Sequence, residues 1–391
     1  MRALVLGLMG HGLTRIEKPL ISSDTLAMVA AVRQFGARVN VHDNWIEVHG
    51  VGGKFAPIDR QINAGNSGIV LRFMGALAGL SSGVTEITGD HSVCHCRPVL
   101  PLIGALQQLG ATASSDGTLR IQGPIQAGDA RLIGSDSQPV SGLLIATSFL
   151  SAGSKIIVDS PGETPWIDLT LHWMKKVGLR ADREGYTRYH VHGKGSYEGF
   201  CARIPGDLSS LAFPLVAALI TRSSITLTGV DLQACQGDKQ IVEIVEQMGA
   251  QVEVQHDRLH VGVTEKLHGI ELDINDCIDA LPILAVLGCY AEGVTRLVNG
   301  EIARHKESDR IAAIAHELRK MGARVDEMRD GLEIWGTPLT GASVHSHADH
   351  RIAMALSVAG LGAVGKTTIE GVECVAKSYP NFLTSLQGMM V

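Results

Sequence analysis

Apolar residues recur along the chain in two alternating rhythms. In Ile311, Ile314, Ala315, Leu318 and Met321 they fall three and four positions apart, which is one face of a helix, and the run stops at Gly322. The next stretch, ARVDEMRDGLEIWG, alternates apolar and polar positions on both sides of Asp330-Gly331, the pattern of two strands joined by a tight turn. The same succession of glycine-closed helix and hairpin recurs at Gly36, Gly110, Gly178 and Gly249, at intervals of roughly 70 residues. A sixth glycine-closed helix, less clear in pattern, ends at Gly388. Each hairpin leads into a loop, an apolar helix and a short strand such as TEITG or TTIEG before the next glycine-closed helix. The rhythm therefore predicts a βαβαββ unit, repeated along an α/β chain of the α+β type.

The parts do not count evenly. The glycine-closed helix occurs six times, the hairpin with its following loop only five. The chain opens inside an apolar helix, RALVLGLMGHG, and reaches Val391 where the sixth hairpin is due. If six units form two domains of three, an N-terminal segment must return to complete the last one. The expectation is thus a chain whose true start lies upstream of Met1, with domains at 1–203 and 204–391 and a sixth unit without its hairpin.

Composition narrows the classes. With 391 residues, 45% hydrophobic and 19% charged, two substantial cores can form and disorder is excluded. A formal net charge of −6 argues against a nucleic-acid binder, which would carry a basic face, so any anion site must be local. The longest apolar runs fall short of a membrane span, and the N-terminal run has no small-residue cleavage site. Seven scattered cysteines fit a reducing compartment better than a disulfide framework, and the expected location is the cytoplasm. His91, Cys94, His95 and Cys96 cluster, but no second group at finger-like spacing accompanies them, and no metal is expected.

The chemistry-bearing residues stand between the periodic elements. RHKESDR, from Arg304 to Arg310, puts Lys306 and Arg310 at the start of a helix, where the dipole disfavours cations but free amides draw an anion. The loop AGNSGIVLR could turn the amides of Gly65, Asn66, Ser67 and Gly68 toward an anion, with Arg72 adding charge one turn on. Ser137, Gln138 and Ser141 offer neutral donors or caps, Asp207 or Ser209 reads as a cap, and Asp349 as another, followed by His350 and Arg351. Asp279, between apolar neighbours, reads as a cap or as a general base of raised pKa. Arg97 and Lys377 stand at comparable repeat positions, so several cations could meet on a multiply anionic small ligand.

In this order GNSG-x-x-x-R, CRP, PGDLSS, IDA, KESDR, DHR-x-AMA and AKS-x-P-x-F closely resemble the enolpyruvyl transferase family, in the branch that acts on shikimate 3-phosphate. The resemblance spans the chain and implies two inverted α/β domains of three βαβαββ units each. It implies transfer of the enolpyruvyl group of phosphoenolpyruvate to the 5-hydroxyl of shikimate 3-phosphate by a monomer, with no cofactor and no nucleic-acid or membrane partner. By that likeness Asn66, Gly68, Arg97, Arg310, Arg351 and Lys377 bind phosphoenolpyruvate, and Arg2, Ser137, Gln138 and Lys306 hold shikimate 3-phosphate. Asp279 takes the hydroxyl proton and Glu307 serves proton transfer at the enolpyruvyl carbon. Departures from the family pattern stand at Ile69, Asp136, Glu163, Trp166 and Ile302, and a Lys-Ser pair expected before Arg2 falls outside the chain. Acids beside a phosphate repel it, so a transferase with another acceptor is a second reading, and a non-catalytic ligand-binding paralogue a third.

Overall fold

The computed structural model describes residues 1–389. The chain divides into two compact units, Met1–Ile204 and Pro205–Val391. Each is a mixed α/β body with its own continuous apolar core.

The period-two stretches pair as the alternation requires. Arg324–Met328 and Gly331–Trp335 form an antiparallel hairpin, which Val294–Val298 joins antiparallel and Glu271–Asp273 extends in parallel. Arg60–Asn63, Thr85–Thr88, Leu119–Gln122 and Thr112–Ser115 follow the same order, as do Asp129–Ile133, Ser154–Asp159, Arg188–Val191 and Ala181–Glu184. A fourth sheet of this kind draws its parallel strand from far along the chain: Cys201–Arg203 lies beside His11–Glu17, which pairs with Trp45–Val51 and then Arg38–Val41. The first unit thus fastens its end to its beginning. In the second unit Ile225–Thr228, Arg258–Val261 and Val252–Gln255 make an antiparallel sheet, and Ser343–His345 pairs in parallel with Thr368–Glu370.

Glycines close the amphipathic helices as their positions suggest. Gly36, Gly110, Gly178, Gly249 and Gly322 all take φ between +83° and +101°, the left-handed turn that satisfies the last helical carbonyls and that a Cβ would strain. The helices that follow the hairpin loops are apolar all round, and so they sit inside. Leu208–Ile220, Leu281–Cys289 and His350–Gly362 pack on one another in the second unit. In the first, Gly68–Ala78 packs on Ser137–Thr147 so closely that a Cβ at Gly142 would stand 2.9 Å from that of Ala76. Among the described residues no helix is long and apolar enough to cross a membrane.

Candidate functional site

A wholly apolar helix leaves polar chemistry only at its ends, and in the second unit several starts meet. Asp207, Asp309 and Asp349 cap the helices Leu208–Ile220, Arg310–Lys320 and His350–Gly362, accepting from Ser209 N (3.1 Å), Ala312 N (3.0 Å) and Arg351 N (2.9 Å). Of the two readings open for the third loop, Asp207 is the cap. Arg351 Nη2 donates to Ser209 Oγ and stands beside Asp279 Oδ2, each at 3.0 Å, which ties two other chain segments to one guanidinium.

Arg310 is the hub. Its Nη1 donates to Asp279 Oδ1 (2.7 Å), its Nη2 to Glu307 Oε2 (2.6 Å), and its Nε to Asp349 Oδ2 (2.8 Å). Ser308 Oγ donates to Asp349 as well, and Lys377 Nζ bonds to the other oxygen of Glu307. Arg310 does stand at the helix start, and its side chain is 1% exposed, with its donors on three carboxylates. Lys306 is buried just ahead of the helix, whereas Arg304 turns away to Asp309 (2.8 Å) and Glu327 (2.9 Å).

The charge pattern sets the protonation states. Burial pushes the Asp279 carboxyl up, but Arg351, Arg310 and Lys306 together outweigh it and hold the carboxyl far below the usual range. One of the two readings gave it a raised pKa; two guanidiniums on one carboxylate reverse that. Nor is Asp279 a cap, since it lies within the 3-10 turn Asn275–Ala280 and bonds to Arg310. Burial likewise pushes Asp349 up, and Arg310 overrides it.

His350 behaves oppositely. Burial, reinforced by Lys377 and Arg351 against Glu307 and Asp349, pushes it down to about 3, so it is neutral in the folded chain. The unfolded chain binds the proton that the folded one refuses, so stability falls as pH drops from about 6.5 toward 3, by at most ~1.4 kcal/mol per pH unit for one group. His350→Gln is expected to flatten this limb between pH 6 and 4, above the range where Asp279 and Asp349 take over in the same direction. Urea unfolding at successive pH values reads it, and equal slopes in both proteins would contradict it.

The first unit carries a second constellation. The turn before Gly68–Ala78 is capped by Ser67, and Asn66 Nδ2 donates to Asp90 and, at 3.3 Å, to Ser92 Oγ. A Cβ on Gly68 would stand 2.8 Å from Nη1 of both Arg72 and Arg97, so the absent side chain lets two guanidiniums reach the turn. Arg72 is engaged by the protein's own acceptors. It is 1% exposed and spends its donors on Asp136 Oδ2 (2.9 Å), Gln138 Oε1 (3.0 Å) and the Pro98 carbonyl (3.2 Å). Arg97, buried at the end of the π-turn Ser92–Cys96, remains at the turn's edge.

Asp136, rather than a serine, caps Ser137–Thr147 by accepting from Gln138 N at 2.9 Å. Ser137 meets Glu163, whose Oε2 accepts from both its N–H and its hydroxyl at 3.1 Å. Arg2 donates to Thr170 Oγ1 (2.7 Å) and the Trp166 carbonyl (2.9 Å), and Thr170 donates to Ser141 (2.8 Å). Burial pushes Arg2 down to about 10 against the pull of Glu163, and it stays charged at neutral pH. Ile69 packs on the core of this unit, and Ile302 on that of the other. Sequence reasoning missed the partnerships of Asp349 with Arg310, Ser209 with Arg351 and Glu163 with Ser137.

The chain matches the family model for EPSP synthase (3-phosphoshikimate 1-carboxyvinyltransferase) over residues 1–386. It is 40% identical to a 3-phosphoshikimate 1-carboxyvinyltransferase of Chlamydia felis over 396 residues, covering 100% of this chain and 88% of the relative. The corresponding protein of Methanocella arvoryzae is 42% identical over 393 residues, covering 98% and 92%. Among solved structures, an EPSP synthase from Acinetobacter baumannii superposes with a TM-score of 0.82 at 28% identity, covering 99% of this chain and 92% of that one. Matched along nearly its whole length in sequence and in fold, the chain belongs to the EPSP synthase family.

Proposed function

We propose that the cluster around Arg310 handles the protons in the reaction that this family membership gives the chain, transfer of the enolpyruvyl group of phosphoenolpyruvate to the 5-hydroxyl of shikimate 3-phosphate. The chemistry needs three proton movements. C3 of phosphoenolpyruvate gains a proton while C2 becomes cationic and bonds to the acceptor oxygen as that oxygen loses its proton. Phosphate and one proton of the new methyl group then leave, which restores the double bond in the product. Asp279 accepts the hydroxyl proton, and Glu307 delivers the proton to C3 and removes one again.

The observation that carries this reading is that Arg310 holds Asp279 and Glu307 on its two terminal nitrogens, with Arg351 and Lys377 on their outer oxygens. In that state Asp279 is an anion and a weak base. A substrate phosphate or carboxylate that takes over the hydrogen bonds of Arg310, Arg351 and Lys377 releases them: Asp279 gains basicity and Glu307 can hold a proton. The acids become competent as the anion arrives. Arg97 and the Asn66–Gly68 turn belong to the same substrate in this reading, and Lys306, Arg2, Ser137 and Gln138 to the acceptor.

Two helix-start donors on Ser137 suit a phosphate. Ser137→Ala removes one of them, and a hydrogen bond to a charged group is worth about 1.5–3 kcal/mol, so KM for shikimate 3-phosphate should rise at least about ten-fold with KM for phosphoenolpyruvate little changed. Initial rates over both substrates test this, and an unaltered acceptor KM would remove Ser137 from the site. We also read the chain as a cytoplasmic monomer. Cys94, Cys96, Cys201, Cys235, Cys277, Cys289 and Cys374 are free thiols, as a reducing compartment keeps them.

A further inference from the structure

The start of helix Ser137–Thr147 already holds an anion, and it belongs to the chain. Glu163 Oε2 takes both the N–H and the hydroxyl of Ser137, each at 3.1 Å. The side chain is not a surface acid that drifted there, since the residue is 2% exposed. Its backbone is left-handed, φ +49° and ψ +41°, a conformation that a side chain other than glycine adopts at a cost. Its charge also acts on Arg2, one of the acceptor-site cations.

Asp136, the other acid at this helix start, differs. It caps the helix through Gln138 N, and the buried Arg72 guanidinium neutralises it at 2.9 Å. Glu163 instead spends its oxygen on the very donors that a phosphate would use. A phosphate dianion entering there must displace the carboxylate or stand beside it against like charge.

We propose that Glu163 sets the affinity for the acceptor: its carboxylate is an internal competitor for the Ser137 donors, and the acceptor's phosphate binds only as Glu163 gives way. This rests on the assignment of Ser137 to that phosphate.

The test is steady-state kinetics of the full chain carrying Glu163→Ser or the near-isosteric Glu163→Gln. Removing a like charge at contact distance is expected to lower KM for shikimate 3-phosphate about ten-fold or more in Glu163→Ser. Glu163→Gln moves it in the same direction by a smaller factor. Inorganic phosphate should compete with shikimate 3-phosphate more tightly in parallel, while KM for phosphoenolpyruvate holds within about two-fold, a split that general loosening of the fold would not produce. An acceptor KM that is unchanged or higher in folded Glu163→Gln overturns the proposal. Ser137→Ala separates the two failures: if it raises the acceptor KM while the Glu163 variants leave it alone, the phosphate assignment stands and only the competition is wrong.

Discussion

Arg310→Ala is expected to destabilise the unit Pro205–Val391 by about 3–5 kcal/mol, the usual consequence of removing one partner from a buried ion pair. The magnitude follows from what is left behind. Asp349 is fully buried and Glu307 nearly so, and both depend on the lost guanidinium. With that cation gone, burial dominates and their carboxyls rise, so at neutral pH one of them takes up a proton or the cluster opens. Arg310→Lys keeps the charge but cannot address three carboxylates from one planar fork, and it should recover only part of the loss. Chemical denaturation followed by circular dichroism measures this. Wild-type stability in Arg310→Ala would mean that the three acids do not depend on it.

The second large effect is on turnover. Glu307→Gln and Asp279→Asn each remove one of the proposed proton-handling groups while keeping the side chain's size, and general acid–base groups contribute about a hundred- to ten-thousand-fold in rate. A loss of that order in kcat is expected from each variant, with circular dichroism unchanged. The two should not multiply fully in the double variant, because in the proposed mechanism both acids act in the addition step, and they share Arg310. Phosphate release under saturating substrates reads the effect, and wild-type rates in both single variants would refute the roles assigned.

How far the chain could be read in advance depended on whether a feature was local. The helix Arg310–Lys320 and its hairpin follow from periodicity and from Gly322, all within about 25 consecutive residues. Asp349 was legible as a cap because a cap is also local. Its bond to Arg310 spans 39 positions and depends on how buried helices pack, which no periodicity encodes. The same is true of Glu163 and Ser137, 26 apart. Asp279 shows the physical reason most clearly. A carboxylate among apolar neighbours suggests a raised pKa, and the opposite results because two guanidiniums arrive from separate helix starts. Arg72 shows the same limit, since proximity to a glycine-rich turn placed its charge there, while its partners Asp136 and Gln138 lie more than 60 positions away.

In the proposed mechanism Glu307 moves the proton at C3 of phosphoenolpyruvate. Turnover in deuterium oxide, stopped part-way, reports on it directly through the methylene protons of the product and of recovered phosphoenolpyruvate. The chain should place deuterium at C3 in both, because the transient methyl group loses any of its hydrogens, and Glu307→Gln should leave recovered phosphoenolpyruvate unlabelled. Deuterium entering C3 at the wild-type rate in Glu307→Gln would contradict the claim.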